Sequence, residues 1–426
     1  MSLLFAPLAV GHQRLHNRLW LPAMVTWLAE ADGEVNRAIQ DRYTRYARGG
    51  AGMIVLEAMG VRDVSSGPLL RISHDRYIPG LKALATAIHE HGRAAGPEGV
   101  GRTLVVPQII DFLKIARRDP TRALARLESH YPGCATWDED RLRATLTPRE
   151  WRDYACGYRQ QIEDLTVEEI EHLPGYFAAA AARAQEAGFD GVELHFTHAY
   201  TLASFLSATN QRTDAYGGTL ENRLRLPLAV LRAAIAAVAP PFLVGLRLTG
   251  SDDVPGGTQV DEAAWFAVEL ARAGAAFVSV SRGGRFEDAR RPPVGHAAYP
   301  YTGPSGERCM PGPREPFGCN LTLPATIRRA LRAAGLDTPV VGAGRINHVE
   351  VAEAALQRGD CDVIGMARGL LADPDWPHKI AEGKPETVNY CRYTNVCEAL
   401  DQRHLPVRCQ LWMKRPEGGL HPPERR

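Results

Sequence analysis

The sequence predicts a closed (β/α)₈ barrel, in which eight parallel strands alternate with helices. Eight short apolar runs recur along the chain, and amphipathic helical segments separate most of them, which is the pattern of a parallel sheet. The length of 426 residues fits one such barrel with long loops, since these barrels take about 250 residues and can exceed 400 with insertions. We therefore expect a closed barrel rather than an open sheet.

The eight candidate strands are short and rich in aliphatic residues. They span residues 18–24, 52–58, 103–109, 191–196, 242–249, 276–281, 339–343 and 362–366. Helices are predicted over 36–48 and, in an alanine-rich stretch, from about Pro174 onward. Pro107 conflicts with a regular third strand, because proline cannot donate to a sheet ladder.

Two long segments interrupt the alternation of strands and helices. Residues 110–173 separate the third and fourth strands by far more than a usual connection, and they are predicted to be a lid or insertion on the active-site face. Residues 282–322 follow the sixth strand, carry many glycines and prolines, and are predicted to form an irregular loop. The barrel is assigned to residues 1–380, and residues 381–426 to a C-terminal extension.

The composition is that of a globular protein, with 45% hydrophobic and 23% charged residues. A formal net charge of +1 gives no electrostatic reason to expect nucleic acid or an anionic membrane as a partner. No run approaches the roughly 20 apolar residues of a membrane-spanning helix, and the N-terminal run lacks a basic lead and is broken by Pro7. Eight cysteines in so long a chain do not suggest a disulfide framework, so we expect reduced thiols and a cytoplasmic location.

Polar side chains stand at the ends of the apolar runs, where a barrel of this kind places its active site. They are Gln108 at the third run, His195, His198 and Tyr200 at the fourth, Arg247 in the fifth, Gly344 and Arg345 after the seventh, and Arg368 after the eighth. Most of these groups are hydrogen-bond donors or cations. The set therefore suits an electron-rich, anionic ligand.

The densest motif is AGFDGVELHFTHAYTLASFLSATNQRTDAYGGTLENRLRLPL, residues 187–228. It resembles the signature of the Old Yellow Enzyme family of FMN-dependent ene-reductases. The resemblance extends to HNRLWLPAM, GAGMIVLEA and VGLRL, and to GAGRINHVEVAEAAL and GMARGLLADPDW near the end. It implies bound FMN, NADH or NADPH as the electron donor, and a small activated alkene as the acceptor, without a nucleic acid or membrane partner. A homo-oligomer is compatible with it.

In this resemblance His195 and His198 would donate two N–H groups to a substrate carbonyl oxygen, which stabilises the developing enolate. Two alternatives stay open for the pair: a metal site, although no third ligand or catalytic glutamate stands at a metalloprotease spacing, and structural histidines. Tyr200 would release a proton to the α-carbon, since a phenol with a pKa of about 10 is neutral at pH 7. The alternative for Tyr200 is a tyrosine of the core.

The remaining candidates would bind FMN. Gln108 and Arg247 would hold the pyrimidine end of the flavin, because Gln offers a donor and an acceptor and Arg stabilises the anionic reduced ring. The alternative is that both are satisfied polar residues of the barrel interior. Backbone contacts to the ring are assigned to Ala23, Met24, Val25 and Ala58, and the phosphate site to Gly344, Arg345, Ala367 and Arg368.

The sequence departs from the family pattern at two places. Val25 stands where the family usually has Thr or Cys after its Pro-Met, and Thr26 follows it. The third strand runs into Asp111 where the family usually has Gln-Leu-x-His. Either Asp111 is the polar group near the substrate, or this loop is rebuilt.

Cys391, Cys397 and Cys409 form a spacing that resembles the cluster-binding segment of the dienoyl-CoA reductase and trimethylamine dehydrogenase relatives. Thr394 stands where a second cysteine would be expected, and a four-iron cluster normally takes four thiolates. No metal is therefore expected, with a bound cluster or zinc as alternatives. For the whole chain, the alternatives are a flavin-dependent dehydrogenase or demethylase of that branch, a noncatalytic FMN-binding barrel, and a metal-dependent hydrolase.

Overall fold

The computed structural model describes residues 2–64, 67–92, 95, 101–113, 127–148, 150–151, 160–290 and 298–413. The strands are β1 (Leu8–Val10), β2 (Gln13–Leu15), β3 (Leu19–Leu21), β4 (Met53–Gly60), β5 (Leu104–Ile110), β6 (Gly191–Phe196), β7 (Leu243–Thr249), β8 (Val278–Ser281), β9 (Val340–Gly342) and β10 (Val363–Gly365). Strands β3 to β10 close into one barrel, and every neighbouring pair is parallel. The predicted (β/α)₈ barrel is confirmed, and each predicted run overlaps one barrel strand.

Helices connect the strands and cover the outside of the barrel. They are α1 (Arg37–Ala47), α2 (Ile78–His91), α3 (Glu139–Thr145), α4 (Val167–Glu186), α5 (Thr201–Leu206), α6 (Leu220–Ala236), α7 (Val260–Arg272), α8 (Pro304–Cys309), α9 (Thr322–Ala333), α10 (Val349–Arg358), α11 (Ala367–Ala372), α12 (Trp376–Ala381), α13 (Val396–Gln402) and α14 (Gln410–Met413). None of the helices in the described part of the chain is long and apolar enough to cross a membrane.

The predicted start of helix α4 at about Pro174 is wrong. The helix begins at Val167, where Thr166 and Glu169 form a capping box, and Pro174 lies inside it. The capping box satisfies N–H groups of the first turn, so the helix starts one and a half to two turns earlier than the proline suggests. By contrast, α1 begins where the sequence predicts, with Asn36 as its N-cap.

Pro107 lies within β5, because the adjacent strand carries a bulge. Leu56 of β4 pairs with Pro107, and the next pair along the ladder is Ala58 with Gln108. Glu57 is thus an extra residue on β4, and bulges are one of the places where a sheet accommodates proline. The bulge preserves the position of Gln108 at the C-terminal half of β5.

A short antiparallel hairpin of β1 and β2, which the sequence analysis missed, packs at the N-terminal end of the barrel. Val10 and Leu15 join an apolar cluster with residues from the starts of the barrel strands. In this cluster the rings of Trp20 and Phe277 meet edge to face, 4.7 Å between centroids. The N-terminal end is filled with apolar side chains, and the polar groups lie toward the other end.

The two predicted insertions differ from each other in structure. In the first, α3 contributes to a small apolar cluster of its own, built on Cys134, Leu142 and Leu146; residues 114–126, 149 and 152–159 lie outside the described residues. The second is not wholly irregular, since it contains helix α8, while residues 291–297 lie outside the described residues.

The described part of the C-terminal extension packs against the first and last barrel units. The Val407 N–H donates to the Thr26 carbonyl (2.9 Å), and the Arg42 guanidinium donates to the Val407 carbonyl (2.8 Å). The Trp412 indole N–H donates to the Ala372 carbonyl (3.2 Å). These contacts hold residues 407–412 against the barrel.

Candidate functional site

One cavity of about 1290 Å³ opens at the C-terminal ends of the barrel strands. It gathers all of the residues predicted to bind a cofactor or substrate. These are Ala23, Met24, Val25, Ala58, Gln108, His195, His198, Tyr200, Arg247, Gly344, Arg345, Ala367 and Arg368. The parallel strands bring residues more than 300 positions apart to one mouth, as expected for this fold.

Both histidines of the predicted pair are buried and neutral at pH 7. Their rings meet edge to face, 5.5 Å between centroids. Burial, and next the neighbouring Arg247 cation, lower the pKa of His195 to about 3. The same two causes, followed by His195, hold the pKa of His198 well below its usual value. A neutral imidazole carries one N–H, so each ring can donate one hydrogen bond.

The two histidines differ in their hydrogen bonds within the chain. Nε2 of His198 lies 2.7 Å from the Ser281 hydroxyl and 3.3 Å from the Cys309 sulfur. Nδ1 of His195 is buried and has no hydrogen-bond partner among the described residues. Since buried polar atoms are normally paired, the unpaired nitrogen of His195 indicates a polar site that the described residues do not satisfy by themselves.

Tyr200 lies beside this pair as the N-cap residue of α5. Its ring meets the His195 ring edge to face at 5.4 Å, and it meets Phe112 of the first insertion at the same distance and in the same manner. These contacts fix the phenol at the cavity wall, next to the histidine that has an unpaired nitrogen.

Gln108 and Arg247 both line the cavity, on the strands that flank β6. The Gln108 amide nitrogen donates to Oε1 of Glu193 at 2.6 Å. Arg247 makes a long contact of 3.4 Å to the Ser281 hydroxyl, and its Nε is buried without a hydrogen-bond partner among the described residues. The amide oxygen of Gln108 and the Arg247 cation therefore remain available to a bound molecule.

Arg345 and Arg368 lie at the opposite side of the cavity mouth, against the ring of Tyr393. Their guanidinium carbons are 4.6 Å and 4.8 Å from the centre of that ring. Arg345 also stacks on Phe317 at 4.7 Å and has a positive φ of 52°. Arg368 donates to the Pro311 carbonyl (2.9 Å) and to the Asn395 side chain. Such cation–π contacts hold two positive charges in place at the cavity wall.

Several lining residues were missed by the sequence analysis. They are Tyr299, Tyr301, Cys309 and Met310 from the second insertion, and Tyr393, Cys397, Glu398, Asp401 and Val407 from the C-terminal extension. The Asp401 carboxylate accepts the Tyr299 hydroxyl and, at 2.6 Å, the Trp27 indole N–H, and so ties three segments together. No periodicity marks these segments, so only their many tyrosines and charged groups could have drawn attention.

Asp111 is not among the residues that line the cavity. Its carboxylate accepts the Arg62 Nε–H and the Thr201 hydroxyl, both at 2.6 Å, and Phe112 lines the cavity instead. An ion pair and a hydrogen bond satisfy the carboxylate inside the wall. The loop after β5 is thus rebuilt around an apolar side chain.

Cys391, Cys397 and Cys409 line a small adjoining cavity of about 330 Å³, together with Thr394 and Arg368. Burial raises the pKa of Cys397 to about 11 and that of Cys409 to about 12. With three thiols and a threonine, this site does not fit a cluster that takes four thiolates. In the described part of the chain, no group of three or more His, Cys, Asp or Glu side chains is arranged to hold a metal ion.

Comparison with known proteins identifies the family that this chain resembles. The model of the NADH:flavin oxidoreductase / NADH oxidase family matches residues 3–302 and 326–387. An NADH oxidase of Thermoanaerobacter brockii is 30% identical over 403 residues, 92% of this chain and 53% of the relative. A metal reductase of Desulforamulus reducens is 32% identical over 413 residues, 96% of this chain and 53% of the relative. The chain thus spans about half the length of these relatives.

The fold is also found in solved structures. A 2-naphthoyl-CoA reductase in complex with 2-naphthoyl-CoA superposes with a TM-score of 0.74, over 98% of this chain and 57% of that chain, at 22% identity. At this identity the likeness concerns the fold alone.

Proposed function

The chain belongs to the NADH:flavin oxidoreductase / NADH oxidase family, and we propose that it transfers hydride from NADH or NADPH, through FMN, to the C=C bond of an α,β-unsaturated carbonyl compound. The family supports FMN as the cofactor and NAD(P)H as the electron donor. The proposal depends most on one observation: neutral imidazoles, a phenol and three arginines share a single cavity. The acceptor class follows from what those groups can bind.

The residues present fit FMN. Arg247 carries an unpaired buried nitrogen, Gln108 keeps its amide oxygen for a ligand, and Arg345 carries a second unpaired buried nitrogen among the described residues. We propose that Gln108 and Arg247 hold the pyrimidine edge, and that Arg345 and Arg368 bind the phosphate. The ring would lie on backbone supplied by Ala23, Met24, Val25 and Ala58, and the phosphate would also meet Gly344 and Ala367.

When bound, FMN supplies hydride chemistry between the nicotinamide and the β-carbon of the alkene. His195 and His198 would donate hydrogen bonds to the carbonyl oxygen of the acceptor. Because both rings are neutral, they can polarise that oxygen without losing a proton to it. Donors fixed in a buried site are worth more than donors in water, since they need no reorganisation as the negative charge develops.

Tyr200 would protonate the α-carbon as hydride reaches the β-carbon. Its ring contacts His195 and is held by Phe112, so the phenol lies close to the carbonyl-binding group. A general acid in this position contributes about 10²–10⁴ in rate. Phe112 and Tyr301, which also line the cavity, would exclude water from the reacting carbons.

The test uses the purified chain under anaerobic conditions. We expect a yellow protein with stoichiometric FMN, bleaching on addition of NADPH or NADH, and rapid recovery of colour on addition of 2-cyclohexenone. A soaked phenol, which mimics the enolate, should place its oxygen next to His195.

Other outcomes would contradict parts of the proposal. A chain that cannot be reconstituted with FMN contradicts all of it. Reduction of the bound flavin by an amine, with no reoxidation by enones, would favour the dehydrogenase alternative. Bound FMN that reacts with neither class would favour a noncatalytic barrel.

A further inference from the structure

Glu193 is a buried carboxylate that the proposed mechanism does not use. It lies on β6, two residues before His195, and 1% of its surface is exposed. Side chains two apart on a strand share a face, so Glu193 points to the barrel interior, one layer below His195. A carboxylate in such a place costs free energy unless a partner compensates it.

Two groups face this carboxylate from the neighbouring strands. From β5, Gln108 pairs with Glu193 in register and donates its amide N–H at 2.6 Å. From β7, the Arg247 cation stabilises the charged form electrostatically. Burial outweighs both and raises the pKa of Glu193 above its usual value. The same two residues are the ones proposed to hold the pyrimidine edge of FMN.

The net charge of Glu193, Arg247 and the bound flavin changes when the flavin is reduced. In its ionised form, Glu193 balances the charge of the Arg247 cation while the flavin is oxidised. Reduction adds a negative charge beside Arg247, which leaves one uncompensated negative charge in a buried site. Burial of net charge costs free energy. The excess negative charge is neutralised at the lowest cost by protonating a nearby carboxylate whose pKa is already raised.

We propose that Glu193 is a positioning residue for Gln108 and Arg247 and the group that takes up a proton from solvent when FMN in the cavity is reduced. The inference rests on the proposed FMN site. The nicotinamide supplies hydride, and hence both electrons, to the cofactor, and water supplies the additional proton to the Glu193 carboxylate. When the cofactor gives hydride to the acceptor, Glu193 returns that proton to solvent, so atoms and charge balance over the cycle.

Glu193 also determines how Gln108 meets the ligand. Because the Gln108 amide nitrogen donates to Glu193, the amide oxygen is the atom directed away from the carboxylate. Gln108 would thus offer an acceptor to an N–H of the ligand. Without Glu193, the two ends of the amide could exchange places.

The test is the midpoint potential of bound FMN, measured spectroelectrochemically with mediators at several pH values, in the wild type and in Glu193→Gln. The glutamine keeps an oxygen that can accept from Gln108 but removes the charge. We expect the midpoint potential to fall with rising pH more steeply in the wild type than in the variant. The difference in slope should be about 30 mV per pH unit, because the wild type takes up one further proton per two electrons. At alkaline pH the variant should have the higher potential, because its reduced state has no uncompensated anion.

Asp111→Asn is the matched control. It also removes a buried carboxylate, but this one pairs with Arg62 and not with Gln108 or Arg247. The slope of potential against pH should therefore equal that of the wild type. Glu57, whose pKa burial raises to about 7, is present in the wild type and in every variant and contributes equally to each slope. Glu193→Asp, which keeps the charge on a shorter side chain, should retain the steep slope.

A second readout is the redox difference infrared spectrum. The wild type should gain the C=O band of a protonated carboxylic acid on reduction, and Glu193→Gln should lack it. Equal slopes in wild type and Glu193→Gln, with FMN bound to both, would overturn this proposal alone. Failure to reduce enones would contradict the proposed function, but the slopes of the wild type and Glu193→Gln would still test the proposal on Glu193. Failure of the wild type to bind FMN would overturn both proposals.

Discussion

The barrel strands and the segments that cover the barrel mouth contribute different groups to one cavity. The strands contribute Gln108, His195 and Arg247, which are fixed by the ladders of β5, β6 and β7. The cover, from the second insertion and the C-terminal extension, contributes aromatic rings and two carboxylates: Tyr299, Tyr301, Tyr393, Glu398 and Asp401. We propose from this division that the strand ends supply the chemistry, while the cover positions charges and shapes the entrance.

The largest effect should come from Tyr200, which lies between the end of β6 and the start of α5. Tyr200→Phe keeps the ring and its edge contact with His195 but removes the ionisable hydrogen. We expect the turnover of an enone to fall by about 10²–10⁴, while flavin reduction by NADPH is unchanged. Rapid-mixing measurements of the two half-reactions separate these steps.

The matched control for this change is Tyr299→Phe, since Tyr299 belongs to the cover and donates to Asp401. It should alter turnover by much less than Tyr200→Phe. Equal losses in the two variants would refute the division between strand ends and cover.

The next effect concerns the two histidines. His195→Ala removes a ring whose Nδ1 has no partner among the described residues, and we expect turnover to fall by about 10²–10³ together with loss of phenol binding. His198→Ala should cost less, because Nε2 of His198 already contacts Ser281 and Cys309. Steady-state kinetics and phenol titration check both.

The pH dependence of the same reaction provides an independent check. The pKa of His195 is lowered to about 3, so its ring stays neutral as pH falls from neutrality toward that value. Protonation of His195 should therefore cause no loss of enone turnover over that range. An ionisation near pH 6 that disappears in His195→Ala would contradict the buried, neutral ring.

A smaller effect is expected at the phosphate end. Arg345→Ala removes a cation that follows β9, and charged hydrogen bonds are worth about 1.5–3 kcal/mol. FMN should bind about 10- to 100-fold more weakly, with little change in turnover at saturating FMN. Quenching of flavin fluorescence measures the dissociation constant, and Arg329→Ala, on the outer helix α9, is the control.

The sequence was sufficient for the barrel because each strand carries its own local signal. The motif around β6 gives the strand from Gly191 to Phe196 without error, since a buried parallel strand is a short apolar run. The site residues at strand ends follow from the same pattern, because the fold brings those ends together.

The remainder depends on long-range packing that no local pattern encodes. The β1–β2 hairpin has strands of three residues, too short to show alternation. The pairing of Asp111 with Arg62, and the approach of Tyr393 to two arginines, join segments far apart in sequence. Such contacts appear only once the chain has folded.

The smallest expected effect tests the cover directly. Tyr393 comes from the C-terminal extension but contacts Arg345 and Arg368 through its ring, and a buried cation–π contact is worth about 0.5–2 kcal/mol. Tyr393→Leu should weaken FMN binding roughly 2- to 30-fold, whereas Tyr393→Phe should not, because the phenyl ring preserves the contact. If Tyr393→Leu instead lowered enone turnover at saturating FMN, the cover would take part in the chemistry. The fluorescence titration and the turnover assay on one pair of variants therefore decide whether the extension acts only by positioning the two arginines.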